Sequence, residues 1–206
     1  MCDIGHISAR MAALLSANPL LQNQAFMTTH SRLGGQIEEA TAALARLDAS
    51  WALIGGLALA PHNVVRSTQD VDLLVAGDRA DVIDAELLRL GYRCIHRSSD
   101  AGNYLRGDQR LDLLYARRPA ARRILAEARE VETSFGNLRV ISAEGLIAFK
   151  LQAVVNDPGR TRDLDDIRAL LTHNRSTLDL AEVREYFRLF NREHLLDEFL
   201  AQIRPG

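Results

Sequence analysis

Two short apolar runs, with a pair of glycines after the first and two aspartates opening the second, constrain this chain more than any other feature. Residues 51–54 are apolar and stop at Gly55 and Gly56, after which residues 57–60 are typical of a helix. Residues 70–76 first alternate and then become continuously apolar, as in a buried strand that polar groups approach at one end. This succession of strand, glycine turn, helix and strand predicts an α/β core.

The remaining pattern adds elements on both sides of this core. Apolar positions recur every three or four residues from 36 to 47, which predicts an amphipathic helix. Further predicted elements are helices at 9–15, 79–90 and 122–130 and strands at 92–96, 104–106, 110–116 and 138–141. After residue 142 the pattern is helical throughout, with Ser142 as the N-cap of the first helix.

These elements predict an α/β protein of the α+β kind, in which flanking helices cover a small mixed sheet and a helical C-terminal part follows. We expect a helical N-terminal arm over residues 1–31, an α/β core over residues 32–141 and a helical C-terminal region over residues 142–206.

Composition excludes several classes of protein. The 206 residues are 47% hydrophobic and 25% charged, which is ordinary for a folded globular chain. Cys2 and Cys94 form neither a CxxC pair nor a disulfide framework, so we expect a reducing, cytoplasmic setting. No stretch approaches the roughly 18–20 apolar residues of a membrane span, so we expect no membrane partner. The six histidines lack zinc-binding spacing, and no Ser or Cys is set up as an activated nucleophile.

Charge limits contact with nucleic acid to a local patch. The net charge of −2 excludes a general polycation. Residues 106–123 contain six arginines and two aspartates and are the candidate patch for an RNA backbone, although a solvated helix face is the commoner explanation of such arginines.

Three aspartates predict a metal–nucleotide site. Asp70 and Asp72 flank one apolar residue of a predicted strand, so both carboxylates project from one face and repel each other unless a cation lies between them. Mg²⁺ is commonly held by one or two carboxylates together with waters and phosphates, whereas two solvated acids are the alternative. Asp112 lies in an apolar strand, where an ionised side chain is costly unless it is paired or coordinated. Glycines at a turn such as Gly55-Gly56 let backbone N–H groups approach phosphate oxygens.

The single lysine and two later aspartates form a second group of candidates. Lys150 stands alone among 24 arginines, which suggests a need for a compact ammonium group or is chance. Asp163 and Asp166 are three residues apart and share one helix face. The alternatives are a lysine that extends to water from a helix edge and acids that stabilise the dipole of a first turn.

The glycine pair, the aspartates and the lysine resemble the motifs of a known family. The run from Gly55 to Asp72 is similar to the GG…DxD signature of the polymerase-β-like nucleotidyltransferase superfamily, with the Arg66-x-Thr68-x-Asp70-x-Asp72 spacing of its AbiEii-type and related minimal members. Lys150 and residues 162–167 resemble the AbiEii-type lysine motif and the (Lys/Arg)-Asp-x-x-Asp-Ile motif that follows it. The resemblance covers about residues 36–171.

The resemblance implies a nucleotidyltransferase fold and a role for each matching residue. Gly55 and Gly56 would cradle a triphosphate, while Asp70 and Asp72 would hold Mg²⁺, or Mn²⁺ in its place. Asp112 would be a third metal ligand and would accept the proton of the attacking hydroxyl. Lys150 would neutralise charge on the triphosphate, with Asp163 and Asp166 completing the nucleotide site. Arg66 and Thr68 either steady the nucleotide or position their loop, and packing or surface roles are the alternative for both.

The resulting hypothesis is an Mg²⁺-dependent enzyme that moves a nucleoside monophosphate from a nucleoside triphosphate to a hydroxyl group and releases pyrophosphate. The AbiEii-type resemblance implies an RNA acceptor such as tRNA in a toxin–antitoxin setting with an antitoxin partner, whereas other relatives modify proteins or small molecules. The alternative is a noncatalytic module that binds nucleotide or a partner protein. Pro61, early in the predicted helix, and the short chain favour that alternative.

Overall fold

A computed structural model of the chain describes residues 19–203, with side chains described from Arg32 onward. The helix predicted at residues 9–15 lies outside the described residues. The described α-helices are α1 (Pro19–Arg46), α2 (Ala80–Arg89), α3 (Pro119–Glu127), α4 (Ala143–Asn156), α5 (Thr161–His173), α6 (Leu180–Leu189) and α7 (Glu193–Gln202). Two short 3-10 helices cover Leu57–His62 and Gly77–Arg79.

Seven strands form one mixed sheet. They are β1 (Trp51–Leu53), β2 (Val71–Ala76), β3 (Arg93–Arg97), β4 (Ala101–Arg106), β5 (Gln109–Ala116), β6 (Arg129–Thr133) and β7 (Gly136–Val140), in the spatial order β3-β4-β5-β2-β1-β7-β6. The pairs β2–β5 and β1–β7 are parallel, whereas β1–β2, β3–β4, β4–β5 and β6–β7 are antiparallel. The mixed sheet with flanking helices confirms the predicted fold class.

The two faces of the central strands carry different residues. Leu73, Leu111 and Leu113 are buried on the face that α1 and α2 cover. Because side chains alternate along a strand, Asp72 and Asp112 project from the opposite face. The apolar side chains of these strands therefore pack against α1 and α2, whereas the carboxylates point away from this layer of helices.

The C-terminal helices join the same core. α4 packs against α5 and α6, and α7 packs against α5 and α6. Ser142 caps α4, since its Oγ accepts a hydrogen bond from Gly145 N–H at 3.1 Å, which confirms the predicted N-cap. Phe187 and Phe199 of this region are buried in one apolar cluster with the sheet residues.

Three elements differ from the prediction. The segment after Gly55-Gly56 is a six-residue 3-10 helix with Pro61 inside it and a left-handed Asn63 at its end, because proline removes an N–H that an α-helix would need. The helix predicted at 36–47 is longer and begins at Pro19, so it continues through residues 31 and 32. The helix predicted at 122–130 ends at Glu127, and Arg129–Thr133 is an edge strand.

Between residues 19 and 203, none of the helices is both long enough and apolar enough to cross a membrane.

Candidate active site

The glycine turn at the end of β1 packs directly on Asp72. Ile54 N–H donates to the backbone oxygen of Asp72 at 3.0 Å, and Gly56 N–H donates to its carboxylate. Gly55 has a φ of +65°, and a Cβ at this position would lie 2.0 Å from Asp72 Oδ2. The turn therefore needs glycine both for its backbone conformation and for its approach to the carboxylate.

This geometry changes what the glycine turn can contribute. A helix was predicted directly after the glycine turn. The structure has a 3-10 helix of only six residues there, and the dipole of so short a helix is small. The N–H of Gly56 contacts Asp72 in this structure. Holding Asp72 in place is thus a role of the turn that its sequence did not indicate.

Strand pairing brings Asp72 and Asp112 together. They are register partners on the parallel strands β2 and β5, which places their Cα atoms about 4.8 Å apart. Asp70 directly precedes β2, because this strand begins one residue later than predicted. On the other side of β5, Asn103 of β4 is the register partner of Asp112 and donates from Nδ2 to Asp112 Oδ1 at 2.8 Å. Asn103 was missed because only the strand register identifies it.

The carboxylates make this end of the sheet strongly negative. Burial and the charges of Asp112 and Asp70 raise the pKa of Asp72 from 3.8 to about 6. The hydrogen bond from Gly56 and the positive charge of Lys150 oppose this increase. A carboxyl group with a raised pKa beside two further acids is a site where a cation would relieve repulsion.

The chemistry of these donors fits a hard divalent cation. Mg²⁺ binds oxygen ligands and usually takes only one or two carboxylates from the protein, with waters and phosphates supplying the rest. Within residues 32–203 no group of three or more His, Cys, Asp or Glu side chains is placed to hold a metal ion by itself. The arrangement thus fits a cation that is bound jointly with a phosphate-bearing ligand rather than by the protein alone.

The loop between the 3-10 helix and β2 carries Arg66 and Thr68 against the glycine turn. A Cβ on Gly56 would lie 2.9 Å from the Thr68 side chain and 3.0 Å from Arg66 Nη2. Arg66 donates from Nε to Asp166 Oδ2 at 3.1 Å and from Nη1 to the backbone oxygen of Ser67 at 3.2 Å. Both predicted side chains therefore lie at the glycine turn, and Arg66 links that turn to α5.

Lys150 is enclosed between two carboxylates. Its side chain is 5% exposed, and Nζ donates to Asp163 Oδ1 at 3.0 Å and to Asp166 Oδ2 at 2.6 Å. The structure thus brings the three predicted residues together. The lysine does not extend to water, whereas Asp163 does lie in the first turn of α5, where an acid stabilises the helix dipole.

Arg160 completes this charged group. Its Nε donates to Asp163 Oδ2 at 2.5 Å. Burial would raise the pKa of Asp163, but the hydrogen bonds and charges of Arg160 and Lys150 outweigh burial and lower it. The pKa of Arg160 is raised, chiefly by the hydrogen bond with Asp163 and to a smaller extent by the charges of Asp157 and Asp72. Arg160 was missed in the sequence because it precedes the 162–167 motif, although its spacing of three from Asp163 was a signal.

A cleft of about 590 Å³ lies beside the glycine turn. Gly56, Arg66 and Thr68 form one part of its lining. Its apolar wall consists of Leu33, Leu53, Leu57, Ala60, Pro61, Val65 and Phe135. The volume is within the range of small-molecule pockets.

The arginines of residues 106–123 are spread over the molecule. Arg106 pairs with Glu39 near the start of β5, whereas Arg118 pairs with Asp100 beyond its end, about 26 Å away for eight residues at 3.3 Å each. Arg123 pairs with Glu182 of α6. The linear cluster therefore does not form a single basic patch.

Comparisons with known proteins support the fold. No family model matches the sequence, and no curated protein matches it significantly. Among solved structures, the antibiotic-resistance factor ANT(2'')-Ia in solution has a TM-score of 0.61 at 18% identity, covering 84% of this chain and 99% of that chain. Its crystal structure with adenylyl-2''-tobramycin has a TM-score of 0.57 at 20% identity, covering 78% and 98% respectively.

A third similar structure is the lincosamide antibiotic adenylyltransferase LnuA bound to lincomycin. It has a TM-score of 0.51 at 14% identity, covering 68% of this chain and 96% of that chain. At these identities the likeness establishes the fold, and the described residues have the nucleotidyltransferase fold.

Proposed function

We propose that this protein is an Mg²⁺-dependent nucleotidyltransferase that transfers a nucleoside monophosphate from a nucleoside triphosphate to a hydroxyl group. The observation that carries the proposal is the register pairing of Asp72 with Asp112, next to Asp70 and the glycine turn. Mn²⁺ is the natural substitute for Mg²⁺ at such oxygen ligands. Free thiols and a nucleotide substrate both suit a cytoplasmic enzyme.

The proposed reaction is an in-line substitution at phosphorus. The acceptor oxygen forms a bond to the α-phosphorus, and the bond from that phosphorus to the pyrophosphate oxygen breaks, so pyrophosphate leaves. The hydroxyl proton passes to Asp112 Oδ2, while Asn103 holds Oδ1 and thereby fixes the orientation of the carboxylate. Asp70, Asp72 and Asp112 would hold a cation together with phosphate oxygens and water, and that cation would neutralise phosphate charge.

The proposed nucleotide site surrounds the glycine turn. Gly55 and Gly56 allow close approach of the backbone, and Thr68 and Arg66 lie against them. Lys150, Asp163 and Asp166 form the charged group on the helical side of this site. Positioning of the triphosphate by these groups would supply most of the catalysis, since phosphoryl chemistry depends mainly on alignment and charge stabilisation.

Two acceptor classes have different support. The AbiEii-type motifs support RNA, with tRNA as the first candidate, and with them a toxin–antitoxin setting and an antitoxin partner. The apolar cleft next to Gly56 and Thr68 supports a small hydroxylated molecule. A direct labelling assay distinguishes the two classes.

The labelling assay uses Mg²⁺ and each α-labelled nucleoside triphosphate, with and without total tRNA. We expect wild-type protein to label an acceptor and the Asp70→Asn/Asp72→Asn variant to lose the transfer by at least a hundredfold. Asp165→Asn is the matched control, because Asp165 is exposed on α5 and pairs only with Arg168 among the described residues. Equal labelling by the double variant would refute the mechanism.

A noncatalytic module is the second candidate, and the 3-10 helix with Pro61 favours it because that helix offers few N–H groups to a triphosphate. This candidate predicts that nucleotide raises the melting temperature while no acceptor is labelled. Absence of both labelling and thermal protection would exclude nucleotidyl transfer and nucleotide binding and would leave a module that binds a partner protein.

A further inference from the structure

We propose that Arg160 and Arg66 are the cations that contact the triphosphate, and that Lys150 is a positioning residue that holds them through Asp163 and Asp166. This inference rests on the proposed function, since it concerns the nucleotide of that same site. It assigns the phosphate contact to guanidinium groups, one of which lies outside the sequence motifs.

The burial and pairing of Lys150 argue against direct contact with a ligand. Its side chain is 5% exposed, and those of Asp163 and Asp166 are 9% and 5% exposed. If the ammonium group turned towards a phosphate, it would abandon two buried carboxylates, and stranding a buried charge is strongly unfavourable. Lys150 therefore acts from inside the protein.

The side chains form a linear series of hydrogen bonds with an arginine at each end. Asp163 accepts hydrogen bonds from Lys150 and Arg160, and Asp166 accepts hydrogen bonds from Lys150 and Arg66. The side chain of Arg160 is 52% exposed and that of Arg66 is 25% exposed. Solvent exposure therefore rises from the lysine at the centre of this series to the arginines at its ends.

Both arginines bind their aspartates through Nε. This orientation leaves Nη nitrogens of Arg160 for a ligand, and it places Nη2 of Arg66 against Gly56. A guanidinium group is a planar fork whose parallel N–H donors match the geometry of phosphate oxygens, whereas an ammonium group is a compact point charge without that fixed geometry. The aspartates thus hold each guanidinium group through Nε, and Nη1 of Arg66 is held by the backbone oxygen of Ser67.

The charges of the group favour an anionic ligand at the ends. Three cations and two carboxylates leave one excess positive charge, and the buried lysine is already paired twice. The charge of Asp72 acts on Arg160, so Arg160 lies within electrostatic reach of the carboxylate that would share the nucleotide. A triphosphate between Asp72 and Arg160 would meet the proposed cation site on one side and a guanidinium group on the other.

Binding of inorganic tripolyphosphate, measured by calorimetry on the full-length protein with Mg²⁺, tests the assignment. We expect Arg160→Gln to weaken binding about tenfold or more, which is the scale for losing one charge-assisted hydrogen bond. Arg160→Lys should recover part of the loss. The control is Arg162→Gln, an exposed arginine two residues further along that belongs to the sequence motif and should bind as wild type does.

A double-mutant cycle tests the positioning role. If Asp163 acts through Arg160, Asp163→Asn weakens tripolyphosphate binding in the wild-type background and has no further effect in Arg160→Gln. A simple loss of negative charge predicts the opposite, because removing an acid should strengthen binding of an anion. Lys150→Met should weaken binding in the same direction, with circular dichroism confirming its fold.

The outcomes separate this inference from the proposed function. If Arg160→Gln binds tripolyphosphate within twofold of wild type while folded Lys150→Met loses binding, Lys150 is the direct contact and the inference is wrong. Transfer activity in a wild-type protein whose Arg160→Gln variant is unaffected also refutes the inference alone. Wild-type protein that binds neither tripolyphosphate nor nucleoside triphosphate refutes the proposed function and the inference together.

Discussion

At the scale of single residues, Asp72 shows how a candidate active site opposes stability. Its carboxyl group is crowded by Asp70 and Asp112 and by the close backbone of Gly55, whereas the N–H of Gly56 and the charge of Lys150 favour ionisation. The folded protein therefore prefers Asp72 protonated more strongly than the unfolded chain does. Such opposition is typical of functional sites, where charges are arranged for a ligand.

We predict that Asp72→Asn stabilises the protein near neutral pH when no divalent cation is present. The pKa of Asp72 rises from 3.8 to about 6 on folding, so ionised Asp72 destabilises the native state above pH 6. This loss of folding stability develops as the pH rises from about 4 to about 6 and amounts to ~1–3 kcal/mol. Urea unfolding in a chelator should show the variant to be more stable at pH 7.5 and equal to wild type below pH 4.

The exposed Asp78 supplies the control for this experiment, since Asp78→Asn should not change the pH profile. An Asp72→Asn protein that is less stable than wild type at every pH would contradict the prediction. Added Mg²⁺ should stabilise wild type selectively and so reduce the difference in stability between Asp72→Asn and wild type at pH 7.5.

At the scale of elements, the turn between β1 and the 3-10 helix connects the fold to the site. Gly55 adopts a left-handed conformation, and its Cα faces the Asp72 side chain so closely that a Cβ would lie 2.6 Å from Asp72 Cβ. The turn ends one strand and at the same time fixes the carboxylate of the next.

A pair of glycine substitutions separates these two roles of the turn. Gly107 has a φ of +62° with no atom within 4 Å of an added Cβ, so Gly107→Ala should cost only the ~1–2 kcal/mol of left-handed strain. Gly55→Ala carries the same strain and also displaces Asp72, so it should lose more stability and abolish nucleotide transfer. Urea unfolding and the labelling assay measure the two effects. Equal stability losses in the two variants would show that Asp72 moves aside freely.

Elements with strong patterns were predictable from the sequence, whereas weak ones were not. The alternation in β2 and β5 is fixed by burial of one face, so those strands were predicted nearly to the residue. Edge strand β6 is mostly exposed, with Val131 only partly buried, and its polar sequence gave no period of two. The 3-10 helix after Gly56 was missed because Pro61 acts on backbone hydrogen bonds rather than on the hydrophobic pattern.

The same distinction applies to the site. Asp72 was predicted from its spacing of two from Asp70, and Asp112 was predicted because a carboxylate inside an apolar strand is conspicuous. Asn103 and Arg160 were missed because an isolated Asn or Arg is ordinary at a surface, and only strand register and a specific hydrogen bond give them meaning. The enclosure of Lys150 by both aspartates depends on how α4 packs against α5, which helix periodicity does not determine.

At the scale of the whole molecule, the sheet and the C-terminal helices are joined by shared packing and by Asn174. Asn174 Nδ2 donates to the backbone oxygen of His62 at 2.8 Å and to that of Leu170 at 3.1 Å. His62 Nε2 lies 2.8 Å from the backbone oxygen of Ile141, in hydrogen-bond contact. These bonds connect the end of α5 to the segment that carries the glycine turn.

We predict that Asn174→Ala lowers the stability of the entire protein by ~1–3 kcal/mol, because it removes the donor to the partly buried backbone oxygen of His62. One apolar cluster runs from α1 to α7, so calorimetry should show a single transition shifted to lower temperature. Thr172→Ala is the control, since the Thr172 hydroxyl is exposed and bonds only within α5. Two separate transitions in Asn174→Ala would show that residues 142–206 unfold independently of the core.

The parallel pairing of β2 with β5 also determines when the site can exist during synthesis. Asp72 and Asp112 are 40 residues apart in the chain, and α2, β3 and β4 lie between them. A ribosome adding about 5–20 residues per second needs about 2–8 s to pass from one aspartate to the other, and Arg160 follows later still. A nascent chain therefore completes its first strands well before it can hold a nucleotide, so capture of the substrate is postponed until nearly the whole fold has been made.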